Sequence, residues 1–427
     1  MKALVWFTQD LRIRDNVSLS LACKENEQVQ AVYCIDPRQF ETTNYGFKRT
    51  EKFRAKFLLE TLAELESSLK KINIPLQVIF EKPEVALPNF IRQHAIDRVY
   101  KMTEWTSEEQ TILQQIKQNT KVQWVENYDQ FLFHPEDIPY QNWAQIPEVF
   151  TEFRKKTEQL ARVRKPVAAT QMPSVNYSEP QNKIPSLTDL GFEDFETHPS
   201  SAVPFKGGEL QALKRLEDYF FITQNLARYK QTRNGLIGAD YSSKFSLWLA
   251  NGSISARTIY ESVRKFERTI IQNEDTYWLI FELIWRDYFK YISLKHQDKI
   301  FHLGGILNHA YHWNQNKHKF KLWIDGKTPE PFVNANMIEL RETGFMSNRG
   351  RQNVASFWAK QWQEDWRIAA AYFESMLIDY DVHSNYGNWI YNAGVGNDPR
   401  DRMFNIKRQA DMYDAQQAFQ KIWLKKL

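Results

Sequence analysis

The stretch KALVWFTQDLRIRDN, residues 2–16, decides the fold of the first part of this chain. Lys2–Phe7 is a short apolar run ending in a polar turn, which predicts a strand buried on both faces. Four further runs share this character: VQAVYCI (29–35), LQVIFE (76–81), DRVYKM (97–102) and KVQWVE (121–126). Helical patterns such as FRAKFLLETLAELESSLKK (53–71) separate them. Strands alternating with helices imply a doubly wound parallel sheet, so residues 1–133 are expected to form an α/β domain. After its first strand such a domain often carries GxGxxG, and here TQDLRIRDN stands instead. The usual dinucleotide fingerprint is absent.

Residues 134–205 lose this pattern. The segment from Val163 to Pro204 is rich in Pro, Ser and Asn and reads as an interdomain connection. From Lys206-Gly207-Gly208 onward, apolar residues recur at helical spacing in GELQALKRLEDYFF, SKFSLWLANG, TYWLIFELIWRDYFKYI and DWRIAAAYFESMLIDY. Residues 206–427 are therefore expected to form an all-α C-terminal domain. No internal repeat or low-complexity segment interrupts it.

A chain of 427 residues exceeds what one core usually organises and can bury a large cofactor. Cys23 and Cys34, the two cysteines, make no disulfide framework, and the charged start lacks the apolar run of a signal peptide. A monomer in the cytoplasm is expected. The most apolar stretch carries Glu282, Arg286, Asp287 and Lys290, which excludes a membrane span of roughly 20 residues. Net charge is +4, divided as −3 up to Phe205 and +7 after it. That asymmetry fits either an anionic partner for the second half or ordinary surface charge. Fourteen tryptophans, twelve from Trp124 onward, suit either packing or stacking on flat ligands.

Two constellations carry chemistry. In GADYSSKFSLWLANG (238–252), Ser242, Ser243 and Ser246 surround Lys244 ahead of a helical run. Hydroxyls, backbone N–H groups and a positive helix end suit a phosphate, while a simple N-cap would use the same serines. NRGRQNVASF (348–357) and DYDVHSNYGNWIYNAGVGNDPR (379–400) combine acids and amides with Gly and aromatics. Arg349 and Arg351 are the available partners for Asp379 and Asp381. Such bridges serve a structural network or a redox-active ring, and the composition favours a ligand wall.

These motifs resemble the photolyase/cryptochrome family, in its DASH-type branch, over nearly the whole chain. GADYSSKFS, FELIWRDYF (281–289), TGFMSNRGRQNVASF (343–357) and Asp379–Arg400 carry the likeness, with DLRIRDN and FHPEDIP (133–139) agreeing. The resemblance implies FAD in the helical domain, bound by Tyr229, Ser242, Ser243, Lys244, Phe245, Ser246, Glu282, Asn348, Arg351, Asp379, Asp381 and Asn385. Asn385 falls opposite flavin N5 by this likeness, where an amide can donate or accept as N5 changes protonation. Trp389, Trp366 and Trp313 match the family's electron-carrying tryptophans, each of which alone would read as a core aromatic.

The same resemblance implies single-stranded or damaged DNA as the partner. Glu282, Trp285, Gln352 and Tyr391 would surround a flipped-out pyrimidine dimer, and Arg233, Lys244 and Arg402 would meet phosphates unless merely solvated. Typical dimer photolyases have Met and Trp where this chain has Gln352 and Tyr391, which predicts repair confined to unpaired DNA. The implied activity is blue-light-driven splitting of cyclobutane dimers by an electron from reduced FAD. A photoreceptor without repair and a non-photochemical nucleic-acid-binding flavoprotein are the alternatives. Absence of His from SNRGRQNVASF speaks against (6-4) repair. A methenyltetrahydrofolate antenna is implied at the domain junction by Glu104, although Lys101-Met102-Thr103 departs from relatives. GKTPEPFVNANM (326–337) departs too, with a loop and a helix cap as the expected consequence. No metal is expected.

Overall fold

The computed structural model describes residues 1–181 and 183–424, so the last three residues of the segment 206–427 lie outside the described residues. Strands β1 (Lys2–Phe7), β2 (Gln28–Ile35), β3 (Leu76–Phe80), β4 (Arg98–Met102) and β5 (Gln123–Asn127) form one sheet in the order β3-β2-β1-β4-β5. All four pairings are parallel. The period of two in β1 sends its side chains into two cores. Ala3, Val5 and Phe7 join Leu62, Leu65 and Leu69 of α2 (Lys52–Lys71) and Leu19 of α1 (Val17–Glu25). Leu4 and Trp6 join the other face, under α3 (Pro83–His94) and α4 (Ser107–Gln118). Burial on both faces is why β1 reads as an unbroken apolar run.

The stretch 134–205 is more than a connection. It contains α5 (Phe150–Leu160), whose Phe150 stacks on Trp285 at 3.6 Å between ring centroids and whose Phe153 is fully buried. Two aromatics three residues apart share one helix face, and this face completes the helical core.

The second part is helical: α6 (Glu209–Glu217), α7 (Tyr229–Thr232), α8 (Ser246–Ala250), α9 (Ala256–Thr269), α10 (Glu274–His296), α11 (Lys317–Ile324), α12 (Pro331–Thr343), α13 (Asn348–Ser356), α14 (Trp366–Met376), α15 (Val382–Ala393), α16 (Ile406–Tyr413) and α17 (Ala418–Leu424). Local chemistry sets the ends. Asn273 and Thr276 form a capping box on α10, Ser347 caps α13, Asp365 caps α14 and Asp381 caps α15. No described helix is long and apolar enough to cross a membrane.

The sheet's switch point lies between β1 and β4, where an open α/β sheet usually receives its ligand. The helical part closes it. Arg12 donates to the carbonyls of Asp15 and Gly252 and pairs with Asp129 at 2.7 Å, and Arg257 pairs with both Asp15 and Asp129. All four side chains are at most 3 % exposed. Gly252 approaches so closely that a Cβ there would stand 2.0 Å from the Gln9 carbonyl. TQDLRIRDN therefore locks the two parts together, which accounts physically for the missing phosphate loop.

Candidate functional site

A cavity of about 280 Å³, open at its mouth, lies inside the helical part. Its walls come from α7, α8 and the turn before it, α10, α13, α14 and α15, so residues distant in sequence converge because these helices pack around one void. Every residue expected around the flavin lines it, together with Arg233, Gln352 and Trp389.

The electrostatics are ordered. Arg351 Nη2 donates to both oxygens of Asp379 at 2.8 and 2.9 Å, while its Nε donates to the Met346 carbonyl. Arg349, the other candidate partner, turns away to Gln352 Oε1 and Asn234. Asp381 takes Lys290 instead, at 2.9 Å, and accepts the Ser384 N–H as the cap of α15. Burial opposes ionisation of Asp381, but Lys290, His383 and Arg286 outweigh it and hold this carboxyl below its usual range. Asn385 donates its amide to the Ala370 carbonyl at 3.0 Å. A carboxylate there would face a carbonyl oxygen, so an amide is the residue this backbone accepts.

The serine turn is not a cap. Phe245 occupies the N-cap of α8 without a side-chain bond, because Lys244 adopts a left-handed φ of +61° that tightens the turn over the cavity. Lys244 itself corrects an expectation: it is 3 % exposed and out of reach of a DNA phosphate. Its Nζ sits over the Tyr241 ring, 3.1 Å from the centroid, and both this ammonium and the Tyr241 hydroxyl lack a hydrogen-bond partner. Burial pushes the Lys244 pKa well down, against the pull of Glu339. Two unpartnered buried donors on the wall, with Arg351 close by in the same lining, fit an anionic dinucleotide such as FAD.

Burial raises the Glu339 pKa to about 8, opposed by Lys244 and Arg351. Unfolded, this carboxyl releases its proton near 4.5; between the two values the folded state holds one more proton, so rising pH favours unfolding. Lys244 acts in the opposite sense, and the difference between wild type and Glu339→Gln isolates the carboxyl. Thermal unfolding is expected to show Glu339→Gln gaining on wild type by up to about 1.4 kcal/mol per pH unit across this window. Parallel pH profiles would refute the assignment.

On α10 and α15, which both line the cavity, Trp285 and Tyr391 meet edge to face at 6.1 Å, and Arg402 donates to the Tyr391 hydroxyl at 3.2 Å. Arg233 is committed to Glu282, at 2.6 Å, inside the lining. Trp389 is in the wall; Trp366 is fully buried and donates to the Leu303 carbonyl, and Trp313 is half-buried. Asn334 bonds to Thr328 on both its ends, a loop closure, and Glu330 caps α12 without a side-chain bond.

Sequence reading missed Arg286, which lines this cavity, and Lys290, the partner of Asp381. The signal was present: Glu282, Arg286 and Lys290 recur every four residues and so share one face of α10. Glu104 lies elsewhere, in a second cavity of about 380 Å³ between sheet and helices, with Arg49, Arg54, Trp105 and Glu109. Lys101 approaches Glu104 to 3.5 Å, and burial raises the Glu109 pKa to about 7. Arg286, Tyr380 and Asp381 belong to both cavities and form the partition. Among the described residues no cluster suits a metal ion.

Comparison with known proteins shows the family. The DNA photolyase family matches residues 3–174, and the FAD binding domain of DNA photolyase matches residues 278–427. A cryptochrome DASH of Gloeobacter violaceus is 47 % identical over 99 % of this chain and 85 % of its own length. One from Xenopus laevis is 43 % identical over 98 % of this chain and 81 % of its own. The crystal structure of a Synechocystis cryptochrome superposes with a TM-score of 0.95 at 42 % identity, covering 99 % of this chain and 88 % of that one. An archaeal photolyase of Sulfolobus tokodaii, described with two FAD molecules, gives 0.79 at 25 % identity, covering 100 % and 90 %.

Proposed function

This chain belongs to the photolyase/cryptochrome family, in its cryptochrome DASH branch, and on that premise we propose that it repairs cyclobutane pyrimidine dimers in unpaired DNA under blue light. The observation that carries the reading is that the two helices lining the charged cavity, α10 and α15, also carry an aromatic ledge. Gln352 lines the cavity and is held by Arg349, while Trp285 of α10 and Tyr391 of α15 are in contact with each other. FAD would be held by Arg351, the serine turn and Asp379; bound and reduced, it supplies the electron that opens the dimer. Around it, Asn385 presents a neutral amide fixed by Ala370, and Arg351 balances Asp379 so that no net charge from this pair opposes an anionic ring.

Two aromatics at a ledge restore part of the stacking an extruded lesion loses. Tyr391 spends its hydroxyl on Arg402, and Gln352 is polar, so this ledge recovers less than two apolar surfaces would. Extrusion from duplex costs a few kcal/mol and from single strands little, which supports unpaired DNA as the substrate. In the second cavity we place a folate antenna, with Glu109 and Glu104 as acceptors for its ring N–H groups.

Purified protein illuminated with dimer-containing oligo(dT) is expected to restore thymine absorbance, while the same dimer in stable duplex is repaired at least about tenfold more slowly. Photoreduced protein that repairs neither substrate would leave the photoreceptor reading in place of the enzyme.

A further inference from the structure

Four indole rings run in contact from the charged cavity to the surface along a route other than Trp366 and Trp313. Trp389, in the cavity wall, meets Trp323 edge to face with centroids 6.5 Å apart. Trp323 meets Trp358 at 5.0 Å, and Trp358 meets Trp362 at 6.2 Å. Phe373 bridges the widest step, 5.1 Å from Trp389 and 6.1 Å from Trp323. Trp323 and Trp358 are at most 1 % exposed, whereas Trp362 is half-buried and ends the series at the surface.

The backbone makes this route. After α13 the chain continues as a π-helical turn, Phe357–Gln361, a rare geometry that shifts the facing of every later side chain. Trp358 enters the core within it and Trp362 follows it. Their surroundings suit transient oxidation. The Trp358 N–H donates to the Asp365 carbonyl at 3.0 Å, whose negative end favours a positively charged indole. Lys319 lies 5.6 Å from the Trp362 ring and disfavours a lasting cation there. An oxidised Trp362 therefore sheds its proton, but more slowly than a hole hops between rings in contact, so the hole samples Trp358 and Trp323 before it is trapped. The sequence-identified tryptophans have other neighbours: Trp366 meets Tyr386 at 6.2 Å and Trp313 meets Tyr311 at 5.9 Å.

We infer that Trp323, Trp358 and Trp362 form a second electron path that serves Trp389 from a separate surface point. The inference deepens the proposed photochemistry and rests on it for the final acceptor. Trp389 gives one electron into the cavity and is refilled from Trp323, Trp323 from Trp358, and Trp358 from Trp362. Trp362 releases its indole proton to water and becomes a neutral radical. A small-molecule thiol returns one electron and one proton, becoming a thiyl radical.

Two measurements test this, one of them independent of flavin. Both native cysteines are buried, so Gln361→Cys, on an exposed position, offers one accessible thiol for a ruthenium polypyridyl photo-oxidant. Flash oxidation with an external quencher, followed by peptide mapping, is expected to place oxidised tryptophan at Trp358 and Trp323 as well as Trp362. Trp362→Phe is expected to remove the inner products. Product confined to Trp362 would overturn the path. In flavin-loaded protein with a thiol, Trp313→Phe is expected to slow photoreduction by less than about twofold, and adding Trp362→Phe by about tenfold. Equal rates for the single and double variants would also overturn it. Inner oxidation in a protein that takes up no flavin would sink the proposed function and leave the path standing.

Discussion

Arg257→Ala is expected to destabilise the protein by about 3–5 kcal/mol, because it removes one guanidinium from a buried cluster of two and leaves two carboxylates facing Arg12 alone. Asp15 loses its bidentate partner, and Asp129 retains Arg12 at 2.7 Å as its one ion-pair partner, beside the Val17 N–H at 3.1 Å. Neither carboxylate can hydrate, being at most 1 % exposed. The effect is measurable as a fall in the urea midpoint at unchanged slope. The contrasting case is Arg402→Ala, whose ion pair with Asp398 is largely exposed on the arginine side and contributes about 0–1 kcal/mol. Comparable losses for the two variants would refute the idea that the clamp, and not surface pairing, joins the sheet to the helices.

The clamp also marks what a sequence does and does not disclose. Val5 beside Leu4 and Trp6 predicts a strand buried on both sides without knowing its neighbours, since period and composition act locally. Arg12 in DLRIRDN has no such local meaning. Its partners Asp129 and Gly252 are more than 100 residues away, and only the packed interface makes a guanidinium at that point both buried and satisfied. The cavity behaves alike. Ser242 to Ser246, Arg351 and Asp379 were legible because a resemblance joined distant segments; residue spacing by itself left Arg349 and Arg351 both open as partners of Asp379, since only the packed face of α13 decides between them. Lys290 escaped notice as one more charge on α10, although its four-residue spacing from Arg286 was already on the page. Phe150 and Phe153 escaped because a single turn of aromatic spacing inside a Pro-rich region is too short a pattern to assert a helix.

Arg351→Ala is expected to weaken flavin retention by about 100-fold or more, giving protein that purifies largely colourless. The residue ties Asp379 to the Met346 carbonyl, so truncation both opens α13 from the wall and leaves a carboxylate, 2 % exposed at its side chain, unpaired beside the ligand. An unpaired Asp379 repels an anionic cofactor, and the same loss of a partner destabilises the fold. These two causes are separable. Arg351→Met combined with Asp379→Leu removes both charges at similar volume, and such paired replacement of a buried bridge is commonly neutral for stability. If the bridge serves only to close the wall, the double variant regains both thermal stability and flavin. If it serves the ligand, stability returns to within about 1 kcal/mol of wild type while the protein remains colourless. Lys244 and Tyr241, whose donors lack partners in the wall, would still be available in the double variant, and loss of colour despite them assigns the decisive contact to the guanidinium. That outcome is the expected one, because Arg351 offers a fork of donors where the buried Lys244 ammonium loses its charge readily.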